Sequence, residues 1–342
     1  MARHRHRRAR RTAPGRRPLT RAFEIKAPTH RVGGFLFGER INAPRLYENY
    51  RFVLYAPFYA AHAIGAYAAE GLAVELLPSP GMGLAERALL DGAVDVIWAG
   101  PMRVMKHHEN PGSALVCFAE VVCRDPFSIV GRYPNPGFRL ADLAQMRLAT
   151  VSEVPTPWLC LQEDLRQSGI DPARLDRIAD RSMAENLNAL SEGRIDAAQL
   201  FEPAVEEALA SKRGHLWYAA SVRGRTTYTA LVTTRDRLVG DAEPLLRMVR
   251  AIQRTQQWIH TRSAPEIAAT ISSFFPALDR GVLAAALGRY QAQSVWGRDP
   301  VLPEDAFDRL HRSLVSGGFI SRLPAYSACV DNGLALRVVT EE

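Results

Sequence analysis

Two related eight-residue segments, ALLDGAVD at residues 88–95 and ALSEGRID at residues 189–196, lie 101 residues apart in the sequence. Each has the pattern of a helix end, a capping glycine and an aspartate that opens a strand. A unit that recurs at this spacing predicts two lobes built on one βαβ plan, with the unit in the same place in each lobe. The length of 342 residues also exceeds what one hydrophobic core usually supports.

Short β-rich runs alternate with helix-period segments from Tyr50 onwards, which indicates α/β lobes with parallel strands joined by crossover helices. The predicted strands are YRFVLY, VELLPS, VDVIWAG, LVCFAEVV, FSIVGR, RLATVS, IDAAQLF and TTYTALVTT. One predicted helix follows Pro57. The other main predicted helices span residues 156–168, 242–261, 264–273 and 280–291. We expect the chain to cross between the lobes near 124–140 and again near 221–226, as a two-stranded hinge.

The positive charge is concentrated at the start of the chain. Residues 1–48 hold thirteen Lys or Arg and three acids, which leaves 43 − 13 = 30 basic and 36 − 3 = 33 acidic residues in 49–342. A basic head with so few apolar residues is typical of a disordered tail, and the body offers no nucleic-acid signature. We therefore assign 1–48 to a basic tail, 49–125 plus 226–342 to lobe 1, and 126–225 to lobe 2.

The cysteines do not indicate a metal site, and the apolar runs do not indicate an export signal. The cysteines form no CxxC pair and have no histidine at ligand spacing; they are Cys117, Cys123, Cys160 and Cys329. The apolar run 52–69 is interrupted by Pro57, His62 and Gly65, so it does not fit a secretory signal. No stretch is long and apolar enough to span a bilayer.

Ligands of open α/β sheets bind beyond the carboxyl ends of the strands, and this rule selects candidate site residues. In the predicted strands and following turns these positions hold aromatic rings, small residues and one carboxylate. They are Tyr55, Phe58, Ser79, Trp98, Gly100, Pro101, Thr156, Trp158, Phe201 and Glu202. Aromatic faces with a few polar groups suit a planar or partly apolar small molecule, and helix N-termini suit an anionic substituent.

For several of these residues, a structural role in the core or at a helix end is the alternative to ligand contact. A Trp or Phe at a strand end is more often part of the core, and Thr156 fits the N-cap of a helix. Glu202 is the stronger candidate because a carboxylate is costly to bury without a purpose. The run from Lys106 to Glu109 has the character of a solvated helix end and not of a metal site.

Four segments carry a resemblance to a known family: YAPFYAAHAIGAYAAEGLAVELLPSPG, ALLDGAVDVIWAGP, RLATVSEVPTPWLCLQEDLRQSGI and ALSEGRIDAAQLFEP. They resemble the SsuA/THI5-like (NMT1-like) substrate-binding proteins over roughly residues 50–330. The resemblance implies a type II periplasmic-binding-protein fold and a solute-binding role beside an ABC transporter permease. It implies family ligands such as sulfonates, nitrate, pyrimidine precursors or riboflavin, and it matches Tyr55, Trp98, Thr156 and Glu202 to cleft positions.

The same family contains an enzyme class, the pyrimidine (HMP-P) synthases of thiamine biosynthesis, which use pyridoxal phosphate and iron. By resemblance, those enzymes carry a lysine and, four residues later, a histidine, where this chain has Ala99 and Arg103. Their cysteine cluster is absent, and Lys106 would need a different register to form an aldimine. A regulatory domain is a third possibility, but no helix-turn-helix pattern precedes Tyr50. We therefore expect a cofactor-free binding protein, periplasmic by resemblance, with a cytoplasmic location as the alternative.

Overall fold

Two five-stranded mixed sheets with flanking helices form the framework of the protein. The computed structural model describes residues 43–48, 50–78, 83–322 and 324–341. The first sheet contains β1 (Arg45–Glu48), β2 (Glu75–Pro78), β3 (Val96–Ala99), β4 (Leu115–Val122) and β10 (Thr229–Thr234), in the order β2-β1-β3-β10-β4. The second contains β5 (Ser128–Gly131), β6 (Arg147–Val151), β7 (Asp176–Arg181), β8 (Ala197–Leu200) and β9 (His215–Ala219), in the order β7-β6-β8-β5-β9. The two orders are equivalent, so the predicted pair of α/β lobes on one plan is confirmed.

The helices lie on the faces of these sheets. In chain order they are α1 (Ala56–Ala63), α2 (Ala66–Ala69), α3 (Leu84–Leu90), α4 (Pro101–His107), α5 (Thr156–Gln167), α6 (Met183–Ser191), α7 (Ala204–Ala210), α8 (Arg235–Gly240), α9 (Ala242–Thr261), α10 (Ala264–Ile271), α11 (Arg280–Ala292), α12 (Glu304–Ser316), α13 (Tyr326–Cys329) and α14 (Gly333–Thr340). Short 3-10 helices span Val53–Tyr55, Leu140–Gln145, Pro172–Arg174, Ala220–Arg223 and Ser272–Phe274. In the described part of the chain, no helix has both the length and the apolar character that crossing a membrane requires.

The repeated sequence unit makes the same contacts in both sheets. Gly92 and Gly193 end α3 and α6 with φ angles of 70° and 73°, which a residue with a Cβ rarely adopts. The Asp95 carboxylate then accepts a hydrogen bond from the Arg45 N–H at 2.7 Å. The Asp196 carboxylate accepts the equivalent bond from the Arg147 N–H at 2.8 Å. Each aspartate therefore fixes the start of the central strand of its sheet against the neighbouring strand.

The first predicted strand is wrong, and so is the end of the predicted tail. Residues 53–55 form a 3-10 helix and are buried in succession, whereas β1 is formed by Arg45–Glu48, inside the range assigned to the tail. Leu46 and Glu48 alternate with more exposed neighbours, the pattern of a strand that packs on one face. The Glu48 carboxylate is buried because the Tyr59 hydroxyl donates to it at 3.0 Å and Arg51 pairs with it. Residues 1–42 lie outside the described part of the chain.

The chain passes between the sheets twice, at residues 123–127 and 220–228. The first passage is shorter than predicted, because β5 already begins at Ser128. Buried Arg223, on the second passage, joins Asp125 on the first at 2.8 Å and Asp164 of α5 at 2.8 Å. We call these three residues the crossing triad. Because each charge in it is paired, the triad holds the two passages to each other and to the second lobe.

Helix α5 packs on both lobes. Its Leu161 and Leu165 belong to the core of the second sheet, whereas Leu159 and Cys160 lie in a first-lobe core cluster with residues of α12. The side of the interface that holds α5 and α12 is therefore apolar and continuous.

A buried carboxylate on β4 predicts how stability depends on pH. Burial raises the pKa of Glu120 from 4.5 to about 7, although Arg225 pairs with it. A carboxyl with a raised folded-state pKa stabilises the fold below its unfolded pKa, and that contribution is lost as pH rises through the folded value. We expect Glu120→Gln to remove a decline of about 3 kcal/mol in the free energy of unfolding between about pH 4.5 and 7.5.

Urea titrations of wild-type and variant protein across this pH range measure the difference. Glu243→Gln is the matched control, because Glu243 forms an exposed pair with Arg247. Parallel pH profiles for wild type and Glu120→Gln would contradict the expectation.

Candidate functional site

A cavity of about 50 Å³ lies between the lobes, where the carboxyl ends of the parallel strands of both sheets meet. The first lobe and the second passage line it with Phe52, Leu54, Tyr55, Gly100, Met102, Arg103, Tyr228 and Thr229. The first passage and the second lobe add Phe127, Val154, Pro155, Thr156 and Phe201. Ligand pockets for organic molecules usually measure roughly 300–1,000 Å³. With the lobes in this arrangement, the cavity is therefore too small to hold an organic molecule of that size.

Four predicted site residues line the cavity: Tyr55, Gly100, Thr156 and Phe201. Thr156 is the first residue of α5 and not its N-cap, which is Pro155. Its hydroxyl donates to the Met102 thioether at 2.6 Å, a contact between the two lobes. Ligand contact by these four residues stays a prediction.

Two predicted aromatic residues lie in the core of the first lobe. Trp98 is 0% exposed and stacks on Phe58 with ring centroids 4.4 Å apart at an angle of 7°. Side chains alternate across a strand, and the face of β3 that holds Trp98 packs on α1. Neither residue is among the cavity-lining residues, so the structure favours the core role for both.

Trp158 and Pro101 are also not among the lining residues. Trp158, in the first turn of α5, stacks with the Arg177 guanidinium at 4.0 Å. Pro101 is buried at the first position of α4 behind Gly100. Ser79 lies outside the described residues.

Glu202 is buried and fully engaged by protein groups. Its carboxylate pairs with Arg289 of α11 at 2.6 Å and accepts a hydrogen bond from the Glu206 N–H at 3.0 Å. Its own N–H donates to the Tyr290 hydroxyl at 3.1 Å, and Arg289 also pairs with Glu206. Burial raises the pKa of Glu202, and Arg289 opposes that shift. We call Glu202, Glu206 and Arg289 the latch, because they join the second lobe to a first-lobe helix.

The strand-end rule missed nine of the lining residues, and Arg103, Phe127 and Tyr228 are among them. β10 runs antiparallel to β3, and β5 runs antiparallel to β8, so the first residues of β10 and β5 lie at the cavity edge. Tyr228 and Phe127 precede these two strands, and their rings lie 6.3 Å apart. Arg103 stands out as a charge within the apolar run WAGPMRVM, a signal that could have indicated a partly buried functional cation.

Among the described residues that line the cavity there is no lysine, cysteine or histidine. Lys106 lies at the end of α4, where its ammonium pairs with Glu109 and donates to the Phe319 carbonyl at 3.0 Å. Among the residues that the structure describes, no group of three His, Cys, Asp or Glu side chains could hold a metal ion. The polar groups of the cavity therefore suit binding by hydrogen bonds and charge.

A family model described as NMT1/THI5 like matches residues 54–266. The chain is 25% identical over 295 residues to YtlA of Bacillus subtilis (strain 168), a protein whose name describes it as a binding protein; the match covers 85% of this chain and 88% of YtlA.

Solved structures share the fold. A protein from Methylobacillus flagellatus KT, named as the periplasmic sulfonate-binding protein SsuA of a sulfonate ABC transporter, superposes with a TM-score of 0.70 at 13% identity. That match covers 87% of this chain and 94% of SsuA. The desulfurization enzyme DSZB superposes with a TM-score of 0.63 at 13% identity, over 87% of this chain and 99% of DSZB. The fold is therefore compatible with both binding proteins and enzymes.

The latch predicts how the lobes respond to loss of one charge. In Arg289→Ala, closed lobes would hold the Glu202 carboxylate buried without its cation, at a cost of about 3–5 kcal/mol. We expect the lobes to separate instead, which small-angle X-ray scattering of the ligand-free protein would detect as a larger radius of gyration. Arg247→Ala, which removes an exposed pair with Glu243, is the control and should leave the radius unchanged. A closed Arg289→Ala variant would show that the latch does not hold the lobes together.

Proposed function

The chain belongs to the NMT1/THI5-like family, and on that premise we propose that it is the solute-binding component of an ABC importer. It captures a small organic ligand, planar or anionic, between its two lobes. The observation that carries the proposal is the position of the cavity at the facing carboxyl ends of two equivalent sheets. The functions named for YtlA and SsuA agree with it.

Ligand capture proceeds by separation and closure of the lobes. The crossing triad and the α5–α12 contact hold one side of the interface together, while the latch on α11 opens and closes. A ligand that contacts both lobes shifts the population toward the closed form. The closed form then docks on a membrane permease, with the protein in the periplasm.

A binding role also agrees better with the chemistry of the cavity than an enzymatic role does. A pyridoxal-phosphate-dependent pyrimidine synthase needs a lysine at the reaction site, and nucleophilic catalysis needs an activated side chain such as cysteine. The part of the lining that the structure describes holds neither, and Lys106 is paired elsewhere. The cavity instead offers aromatic rings, one guanidinium and hydroxyl groups.

The enzymatic alternative has its own test. Purified protein incubated with pyridoxal phosphate should show no aldimine absorption band that depends on Lys106. A band that disappears in Lys106→Ala would favour the pyrimidine synthase.

A bulky side chain that fills the cavity should prevent ligand binding. Thr156 is 7% exposed and lines the cavity, so Thr156→Trp should occupy the ligand volume and hold the lobes apart. We expect wild-type protein to release a co-purified small molecule on denaturation, identified by mass spectrometry, and Thr156→Trp to release none. Calorimetry with taurine, nitrate, riboflavin and the pyrimidine precursor of thiamine should likewise detect no binding to the variant.

Gln167→Trp is the control, because it places the same side chain at an exposed position of the same helix. Equal ligand content in wild type and Thr156→Trp would remove the cavity from the proposal.

A further inference from the structure

Tyr228 presents a buried hydroxyl that has no partner in the structure. The residue is 8% exposed, lines the cavity, and its hydroxyl oxygen makes no hydrogen bond with the described residues. Buried hydroxyl groups are almost always hydrogen-bonded, because loss of hydration without a replacement bond is unfavourable. Burial raises the pKa of Tyr228 well above its ordinary value, so the phenol keeps its proton as a donor.

Arg103 adds a cation to the same cavity. Its Nε lies 3.2 Å from the carboxylate of Glu86, which is 4% exposed on α3. A guanidinium has five N–H donors, and one carboxylate oxygen at Nε leaves donors for a second partner. Because Glu86 already offsets part of the charge, the cavity suits a ligand with one negative charge better than one with two.

The other walls of the cavity are mainly apolar and aromatic. Phe52 of the first lobe meets Phe201 of the second edge to face, with ring centroids 4.8 Å apart. Phe127 lies 4.8 Å from Phe201 and 6.3 Å from the ring of Tyr228. These rings suit a ligand with a flat apolar body. Such a ligand enters when the lobes separate, and it stacks on the rings or meets them edge to face when the lobes close.

We infer that Tyr228 and Arg103 together bind the anionic group of a flat monoanionic ligand, such as an aryl carboxylate or an aryl sulfonate. The inference rests on the proposed function, and it adds two recognition residues and a ligand class. Arg103 supplies the charge, and Tyr228 donates a hydrogen bond to a ligand oxygen. The Tyr228 N–H donates to the Val122 carbonyl at 2.9 Å, so this residue lies where the two passages leave the first sheet.

Calorimetry with chemically matched probes tests the inference. Benzoate and benzenesulfonate are the monoanions, benzamide is the neutral counterpart of benzoate, and phenyl phosphate is the dianion. Wild-type protein should bind the two monoanions at least about tenfold more tightly than benzamide and phenyl phosphate, as expected for a hydrogen-bonded charge. Equal affinity for benzoate and benzamide, or no binding of either monoanion at millimolar concentration, would overturn the inference.

Two substitutions test the residues separately. Tyr228→Phe removes one hydroxyl and should weaken benzoate binding about tenfold or more. Arg103→Gln should weaken benzoate more than Tyr228→Phe does, and it should leave benzamide affinity unchanged. Tyr133→Phe is the control for a tyrosine hydroxyl, because Tyr133 is 63% exposed and does not line this cavity. Wild-type affinity for benzoate in Tyr228→Phe or Arg103→Gln would exclude the corresponding residue from recognition.

The outcomes distinguish this inference from the proposed function. Loss of the co-purified ligand in Thr156→Trp, together with unchanged monoanion binding in Tyr228→Phe and Arg103→Gln, would keep the cavity and reject the two recognition residues. Retention of the ligand in Thr156→Trp would reject the cavity itself.

Discussion

The hydrogen bond from the first residue of β1 or β6 to the aspartate immediately before the neighbouring central strand fixes the alignment on which both lobes depend. Asp95 and Asp196 make this bond at nearly equal distances, 2.7 and 2.8 Å. A shift of one residue in either pair would turn the side chains of that strand to the opposite face. Because the alignment is equivalent in both sheets, corresponding strand ends meet at one interface, and the cavity forms there.

The two sides of that interface differ in chemistry. Leu159 and Cys160 of α5 join the first-lobe core on one side, where separation would expose apolar surface to water. On the latch side, Glu202 and Arg289 lose a direct ion pair on opening but regain hydration. Apolar contact is present here as well, because Phe201, next to Glu202, packs against Phe52 of the first lobe. In the proposed movement, the ion pair of the latch breaks while the crossing triad stays together.

The repeat and most strands could be predicted from the sequence, because helix ends, capping glycines and apolar runs are local signals. The first strand could not, since RLYE is short and adjoins a basic segment. The strand-end rule located the cavity but assigned Trp98 and Glu202 to the ligand, because it cannot tell which face of a strand is covered or which partner neutralises a charge. It missed Phe127 and Tyr228 because antiparallel pairing depends on where a distant segment returns to the sheet.

The packing of helix α5 on both lobes affects how ligand preference changes in proteins of this architecture. Its first residue faces the cavity, while Leu159 and Cys160, one turn further on, sit in the core of the opposite lobe. A bulkier or smaller residue at either core position would tilt the helix and alter the angle at which the lobes meet. The size of molecule that can be enclosed could thus drift through substitutions that never touch it, while the recognition groups stay as they are.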